Sequence, residues 1–251
     1  MLPSSFKKPV WQKILYVVGL PLWVFLGFIL SQAFIRIFVE ALARAGVPLQ
    51  GINTSIFNTV GGVIVYGLAI AIVIGLPRLI AKRSTSRQDL GLQRLPTWMD
   101  IVWSLGGVVA YIILTSIVAA LATVFLTFID YSQVQETGFS NIVTRPEYIL
   151  AFISLVVVAP FAEELLFRGY LFGKLQKHAP IWIATLITSL LFAAVHLQWN
   201  VAIDVFALSI VLCLLRVATG SLWPAILLHM MKNSIAFYFL FINPSLLSTL
   251  G

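Results

Sequence analysis

Seven stretches of this chain are apolar over lengths that match a bilayer, and that pattern limits the fold more than any motif does. They run roughly over 14–39, 56–77, 101–129, 147–175, 181–199, 201–218 and 222–243. A helix crosses a hydrocarbon core of about 30 Å with about 20 predominantly apolar residues. The runs are too long and too little alternating for the strands of a membrane barrel. With 60% hydrophobic and only 10% charged residues, a soluble domain is excluded, since such domains are nearer one quarter charged. The expectation is an all-α, polytopic transmembrane bundle of seven to eight helices, an eighth being hidden in 101–129 or 147–175. The segment Ile14 to Val39 exceeds the apolar core of a signal peptide, about 7–15 residues, and is read as a retained first helix.

Charge placement orients the bundle. Lys7, Lys8 and Lys13 precede the first run, and Arg78, Lys82, Arg83, Arg87 and Arg94 lie around the second connection. Lys174 and Lys177 follow the fourth run and Arg216 closes the sixth. The alternate connections hold Arg44 and Arg145 beside Glu40, Asp130, Glu136 and Glu147. Counting Lys and Arg puts the N-terminus in the cytoplasm. The formal charge of +7 is therefore a topology signal with lipid head groups as partners, and nucleic acid is not expected. Cys213 is the single cysteine, which rules out an intrachain disulfide and suits a small buried hydrophobe. The organisation expected is one integral membrane unit, with N-terminal helices and a basic loop over 1–130 and a core over 131–251.

Against this apolar background three polar groups stand out, each with a spacing of four. Glu164 and Arg168 sit in "PFAEELLFRGYLF", with Glu163 adjacent; Phe192 and His196 sit in "LLFAAVHLQW"; His229 and Asn233 sit in "ILLHMMKNSI". Residues four apart share a helix face. Across the hairpin centred near His178, Glu163 lies 15 residues before and His196 lies 18 after, a mismatch of roughly 5 Å in depth. Pro160 predicts a kink or restart, which would put both glutamates in a first turn where free N–H groups favour negative charge. Arg168 then neutralises Glu164 and leaves Glu163 to find partners on other helices. A carboxylate beside an imidazole can act as a general base on water.

Each group alone has a simpler reading: an intrahelical ion pair, a satisfied core histidine, or hydrogen-bonding glue between helices. Taken together at matched depth, intramembrane ionisable residues point to function. A proton- or ion-coupled transporter, or a non-proteolytic scaffold or regulator, would also place carboxylates in the membrane. No inverted repeat favours the transporter.

The three motifs resemble those of the CAAX-protease and bacteriocin-processing family, also labelled Abi or type II CAAX prenyl endopeptidase-like. "EELLFR" matches its EExxxR motif, "FAAVH" its FxxxH motif and "HMMKN" an HxxxN form of its third motif, in the family's order. "DLGL" at 89–92 resembles the segment that precedes its core. The resemblance implies an intramembrane endopeptidase of mostly eight helices, acting on a membrane-associated protein or peptide such as a prenylated CAAX-type C-terminus. It implies that Glu163 activates water with His196, that His229 and Asn233 stabilise the oxyanion, and that Glu164, Arg168 and Phe192 support the site. Many members carry a metalloprotease label, and Glu163, His196 and His229 would make a His₂Glu zinc set. There is no HExxH helix, and the expectation is that no cofactor is required, with zinc as the alternative.

Overall fold

The computed structural model describes residues 9–82, 84–130, 133, 136–139 and 142–245, so Lys7, Lys8 and Arg83 of the orientation argument lie outside it. Its elements are helical, and no strand occurs among the described residues. Helix α1 spans Val10–Arg44, with Pro21 inside it. Helix α2 runs over Thr54–Ala81, with a π-helical turn at Ala71–Gly75. A one-turn helix α3, Arg87–Leu90, precedes α4, Trp98–Phe125. Helix α5, Arg145–Leu175, is followed by α6, Ile181–Ala194, α7, Trp199–Thr219, and α8, Trp223–Ile242. Six of these (α1, α2, α4, α5, α7 and α8) are long and apolar enough to span a bilayer. The chain is an integral membrane protein.

The helix of the fifth apolar run, 181–199, differs from expectation in length. Helix α6 has 14 residues, about 21 Å of rise, short of a bilayer core. It stops because Leu197 takes a left-handed backbone with φ of 55°, a conformation few non-glycine residues adopt. His196 consequently sits in the turn between α6 and α7, not on the helix face expected for it. Among the described residues α4 and α5 are each one uninterrupted helix, so neither of these two runs divides into two spans.

Pro160 is handled differently from the sequence expectation. Helix α5 neither breaks nor restarts there; backbone angles at Val158, Ala159 and Leu165 are all right-handed helical. The interruption is absorbed in π-helical stretches on both sides, Ile153–Val158 and Leu165–Phe172. Glu163 and Glu164 therefore lie inside a continuous helix, and free N–H groups do not stabilise their charge.

At the basic end of the bundle α3 acts as a clasp. Ser86 and Asp89 form a reciprocal capping box around it, and Asp89 accepts from Lys177 Nζ at 2.7 Å. The Gly91 carbonyl accepts from the Leu222 amide at 2.8 Å, tying the connection before α8 to the one before α4. Gly91 has φ of 78°, and a Cβ there would lie 2.7 Å from the Arg216 guanidinium. Gly173 allows similarly close passage, its absent Cβ lying 3.1 Å from the Asp89 carbonyl. The "DLGL" segment thus holds the ends of α5, α7 and α8 together. At the opposite end, Asn53 pairs with Glu147, and Gln198 exchanges two hydrogen bonds with the Glu136 backbone.

Two outcomes follow for the clasp. Gly91→Ala is expected to destabilise the protein by about 1–3 kcal/mol, the cost of a strained left-handed residue, read as a lowered melting temperature in detergent. Asp89 is held below its ordinary value of 3.8 by Lys177 first and then by Ser86. A depressed folded value means its contribution is full above the ordinary carboxylate pKa and is lost as pH falls through the folded value. Stability measured from neutral pH to pH 5 should accordingly show no loss from this tie.

Candidate active site

The site is built around two adjacent glutamates that occupy different environments. Glu164 and Arg168, one turn apart on α5, are both fully buried. Arg168 Nη1 donates to Glu164 Oε1 at 2.8 Å, and His229 Nδ1 of α8 meets the same oxygen at 2.8 Å. A buried ion pair repays its desolvation only with good geometry and further hydrogen bonds, and the shared oxygen supplies one of them. The Arg168 guanidinium also lies 4.2 Å from the centre of the Phe192 ring, a cation–π contact strengthened by the absence of water.

Phe192 is the spacer of the site. Its ring makes edge contacts with Phe167 and His196 at 4.9 Å and with His229 at 5.9 Å. Both histidines are thereby fixed relative to Arg168, one from the turn after α6 and one from α8. That accounts physically for an aromatic residue four positions before His196.

The hydrogen bonds fix the tautomers of both histidines. A carboxylate or a carbonyl can only accept, so the ring nitrogen facing it must carry the proton. His229 therefore holds its proton on Nδ1 against Glu164, and His196 holds one on Nδ1 against the Phe192 carbonyl at 2.7 Å. In the neutral rings the two Nε2 atoms keep their lone pairs. His229 Nε2 lies 3.8 Å from Glu163 Oε2. His196 lies within electrostatic reach of Glu163, His229 and Lys232.

Glu163 is the accessible glutamate, its side chain 13% exposed against none for Glu164. Its other oxygen, Oε1, accepts from the Tyr66 hydroxyl of α2. One carboxylate oxygen is thus anchored by phenol while the other faces a histidine, with a gap wider than a direct hydrogen bond. Asn233, one turn beyond His229, donates from Nδ2 to the Leu155 carbonyl at 2.9 Å. That bond docks α8 on the π-helical part of α5 and leaves the second amide N–H for another acceptor.

Zinc finds a poorer fit. Glu163 and His229 approach one another, but among the described residues no three His, Cys, Asp or Glu side chains gather as a ligand set. His196 does not complete one.

Sequence reasoning passed over Tyr66 and Asp204. Tyr66 is one tyrosine in an apolar run, and no spacing links it to α5. Asp204 carried a readable signal, a lone carboxylate within the sixth run. It accepts from Tyr111 and from Thr115 Oγ1 of α4, and pairs with Lys232 Nζ at 3.1 Å. Lys232, beside Asn233 on α8, is thus neutralised from α7.

Sequence comparisons with known proteins converge on the segment that carries the three motifs. Residues 145–235, which include all three motifs, match the family described as type II CAAX prenyl endopeptidase Rce1-like. This part of the chain is similar to that family. Outside it, similarity is thinner. An uncharacterised 24.3 kDa protein of Escherichia coli is 31% identical over 38% of this chain and 46% of its own length. The membrane-embedded CAAX protease MroQ of Staphylococcus aureus is 28% identical over 59% of this chain and 61% of its own. UPF0177 protein YxdF of Lactococcus lactis is 35% identical over 38% of this chain and 51% of its own. The matches thus span about half the length of these relatives. No solved structure matches the chain.

Within the matched segment, Arg168→Met would leave the Glu164 carboxylate buried without its cation. Removing one partner of a buried pair costs about 3–5 kcal/mol. The expected result is a large drop in thermal stability in detergent, whereas Arg145→Met at the exposed start of α5 should change it little.

Proposed function

We propose that this chain is an intramembrane endopeptidase that hydrolyses a peptide bond in a membrane-associated protein or peptide. A prenylated CAAX-type C-terminus is one member of that substrate class. The observation that carries the reading is the facing pair of Glu163 Oε2 and His229 Nε2, 3.8 Å apart, backed by the buried Glu164–Arg168 pair. The Rce1-like match over 145–235 and the similarity to the CAAX protease MroQ support the same class of reaction. We also propose that the basic end faces the cytoplasm, from the positive charge collected there.

In this mechanism Glu163 takes a proton from a water molecule as its oxygen attacks the carbonyl carbon of the substrate. Tyr66 holds the carboxylate so that Oε2 is the basic oxygen, and the His196 Nε2 lone pair orients the water. The carbonyl oxygen becomes an oxyanion, which needs donors. Asn233 offers its uncommitted amide N–H. His229 faces the same space through Nε2 and adds a second donor whenever that nitrogen carries a proton. The tetrahedral intermediate collapses with cleavage of the C–N bond, and the proton held by Glu163 passes to the leaving amine. Each step is assigned to side chains of this chain, and no metal is required.

The test is cleavage of a membrane-presented peptide by the purified protein. Glu163→Gln and His196→Ala should each lower the rate by about 10²–10⁴-fold, the usual contribution of general-base catalysis. Tyr66→Phe should cost roughly tenfold, the scale of one hydrogen bond to a charged group. Normal cleavage by both Glu163→Gln and His196→Ala would remove the assignment. Fully active protein with a metal-to-protein ratio near zero is the expected outcome of metal analysis; activity that tracks bound zinc would contradict the metal-free reading.

A further inference from the structure

A second site lies away from the candidate active site, at the basic end of the bundle. A groove of about 910 Å³ opens there between the N-terminal half of α1, the end of α2 and the end of α5. Its walls are apolar, with Leu15, Leu76 and Ile80 among them, and its rim carries Lys174, Lys177 and His178. None of Glu163, Glu164, His196, His229 or Asn233 lines it. Along α5, Lys174 is eleven residues from Glu163, roughly 16–17 Å of helix.

Three features define what such a groove accepts. Its outer lips are open to the surrounding lipid, since Leu15 is 64% and Ile80 77% exposed. Its cations are fixed and not free to sweep. Lys174 Nζ is 4.7 Å from the centre of the Tyr170 ring, Lys177 is held by Asp89 at 2.7 Å, and the His178 ring stacks on Tyr16 at 4.2 Å. The groove also has depth within its wall: a Cβ built at Gly19 of α1, which lines it, would meet no atom within 4 Å.

We infer that this groove is a binding site for an anionic glycerophospholipid, its acyl chain along α1 and α2 and its phosphate against Lys174 and Lys177. Apolar walls that open sideways suit an acyl chain, and ammonium groups at the end where the helices stop suit a head-group phosphate. Basic pockets between membrane helices are the usual form of anionic lipid recognition. Asp89 pairs with Lys177 at 2.7 Å, so the two lysines share the discrimination, and Lys174 is the one whose removal leaves that ion pair intact. A peptide is the weaker occupant, because the rim sits far from the carboxylate that would cleave it.

Native mass spectrometry of the full chain, released from nanodiscs of equimolar phosphatidylglycerol and phosphatidylcholine with the same acyl chains, tests this directly. The wild type should retain phosphatidylglycerol over phosphatidylcholine by roughly tenfold. Lys174→Gln should lower that preference about fivefold, the scale of one lysine at a membrane surface. Gly19→Phe fills the groove without changing any charge and should abolish retention of both lipids. Equal retention of the two lipids by the wild type would overturn the proposal, as would undiminished phosphatidylglycerol retention in either variant at wild-type melting temperature. Displacement of the lipid by a substrate peptide would reassign the groove to substrate and overturn it too. Glu163→Gln leaves the groove intact and should retain lipid like wild type, so failure of the protease reading and failure of this one are separable.

Discussion

A single oxygen atom, Oε1 of Glu164, organises the site, because it meets both Arg168 and His229 at 2.8 Å. An ionised carboxylate in a membrane is costly, and this one is tolerated because a cation and an imidazole N–H converge on it. The consequences spread outward. Arg168 is locked in place and presents its face to Phe192. His229 is locked in one tautomer and presents Nε2 towards Glu163. The neighbouring glutamate is left as the accessible carboxylate, anchored by Tyr66 on α2. The different environments of the two adjacent glutamates thus follow from which of them the arginine can reach.

The scaffold supports that arrangement by departing from ideal helix in specific places. Helix α5 carries π-helical turns on both sides of the glutamates, a deviation that recurs at functional sites. The first of them supplies the Leu155 carbonyl that receives Asn233. Helix α6 ends early, so that His196 enters the site from a turn and closes the end of its helix through the Phe192 carbonyl. At the far end the α3 clasp joins α5, α7 and the start of α8, which are the elements that must stay in register for Glu164 and His229 to meet.

Much of this was legible in the sequence, for physical reasons. Bilayer-length apolar runs leave few alternatives to a helical bundle, and polar residues within them are conspicuous because they are expensive. The spacing of Glu164 and Arg168 predicts their ion pair, and depth counting puts Glu163 and His196 at similar levels. What the sequence did not reveal depends on tertiary contacts. Pro160 signals a restart, but the chain absorbs it as π-helix. His196 reads as helical because nothing around it announces the left-handed turn at Leu197. Tyr66 contributes a hydrogen bond from a helix whose rotation no local pattern fixes, and Asp204 becomes meaningful only once Lys232 is seen against it.

The central claim is that Glu163 activates water and does not itself attack the substrate. Single-turnover cleavage in ¹⁸O-labelled water, followed by mass spectrometry of the product and of the peptide containing Glu163, tests it most directly. Direct attack by activated water predicts one ¹⁸O in the new product carboxylate and none in Glu163. Label incorporated into the Glu163 carboxylate would reveal a covalent acyl intermediate and contradict the account.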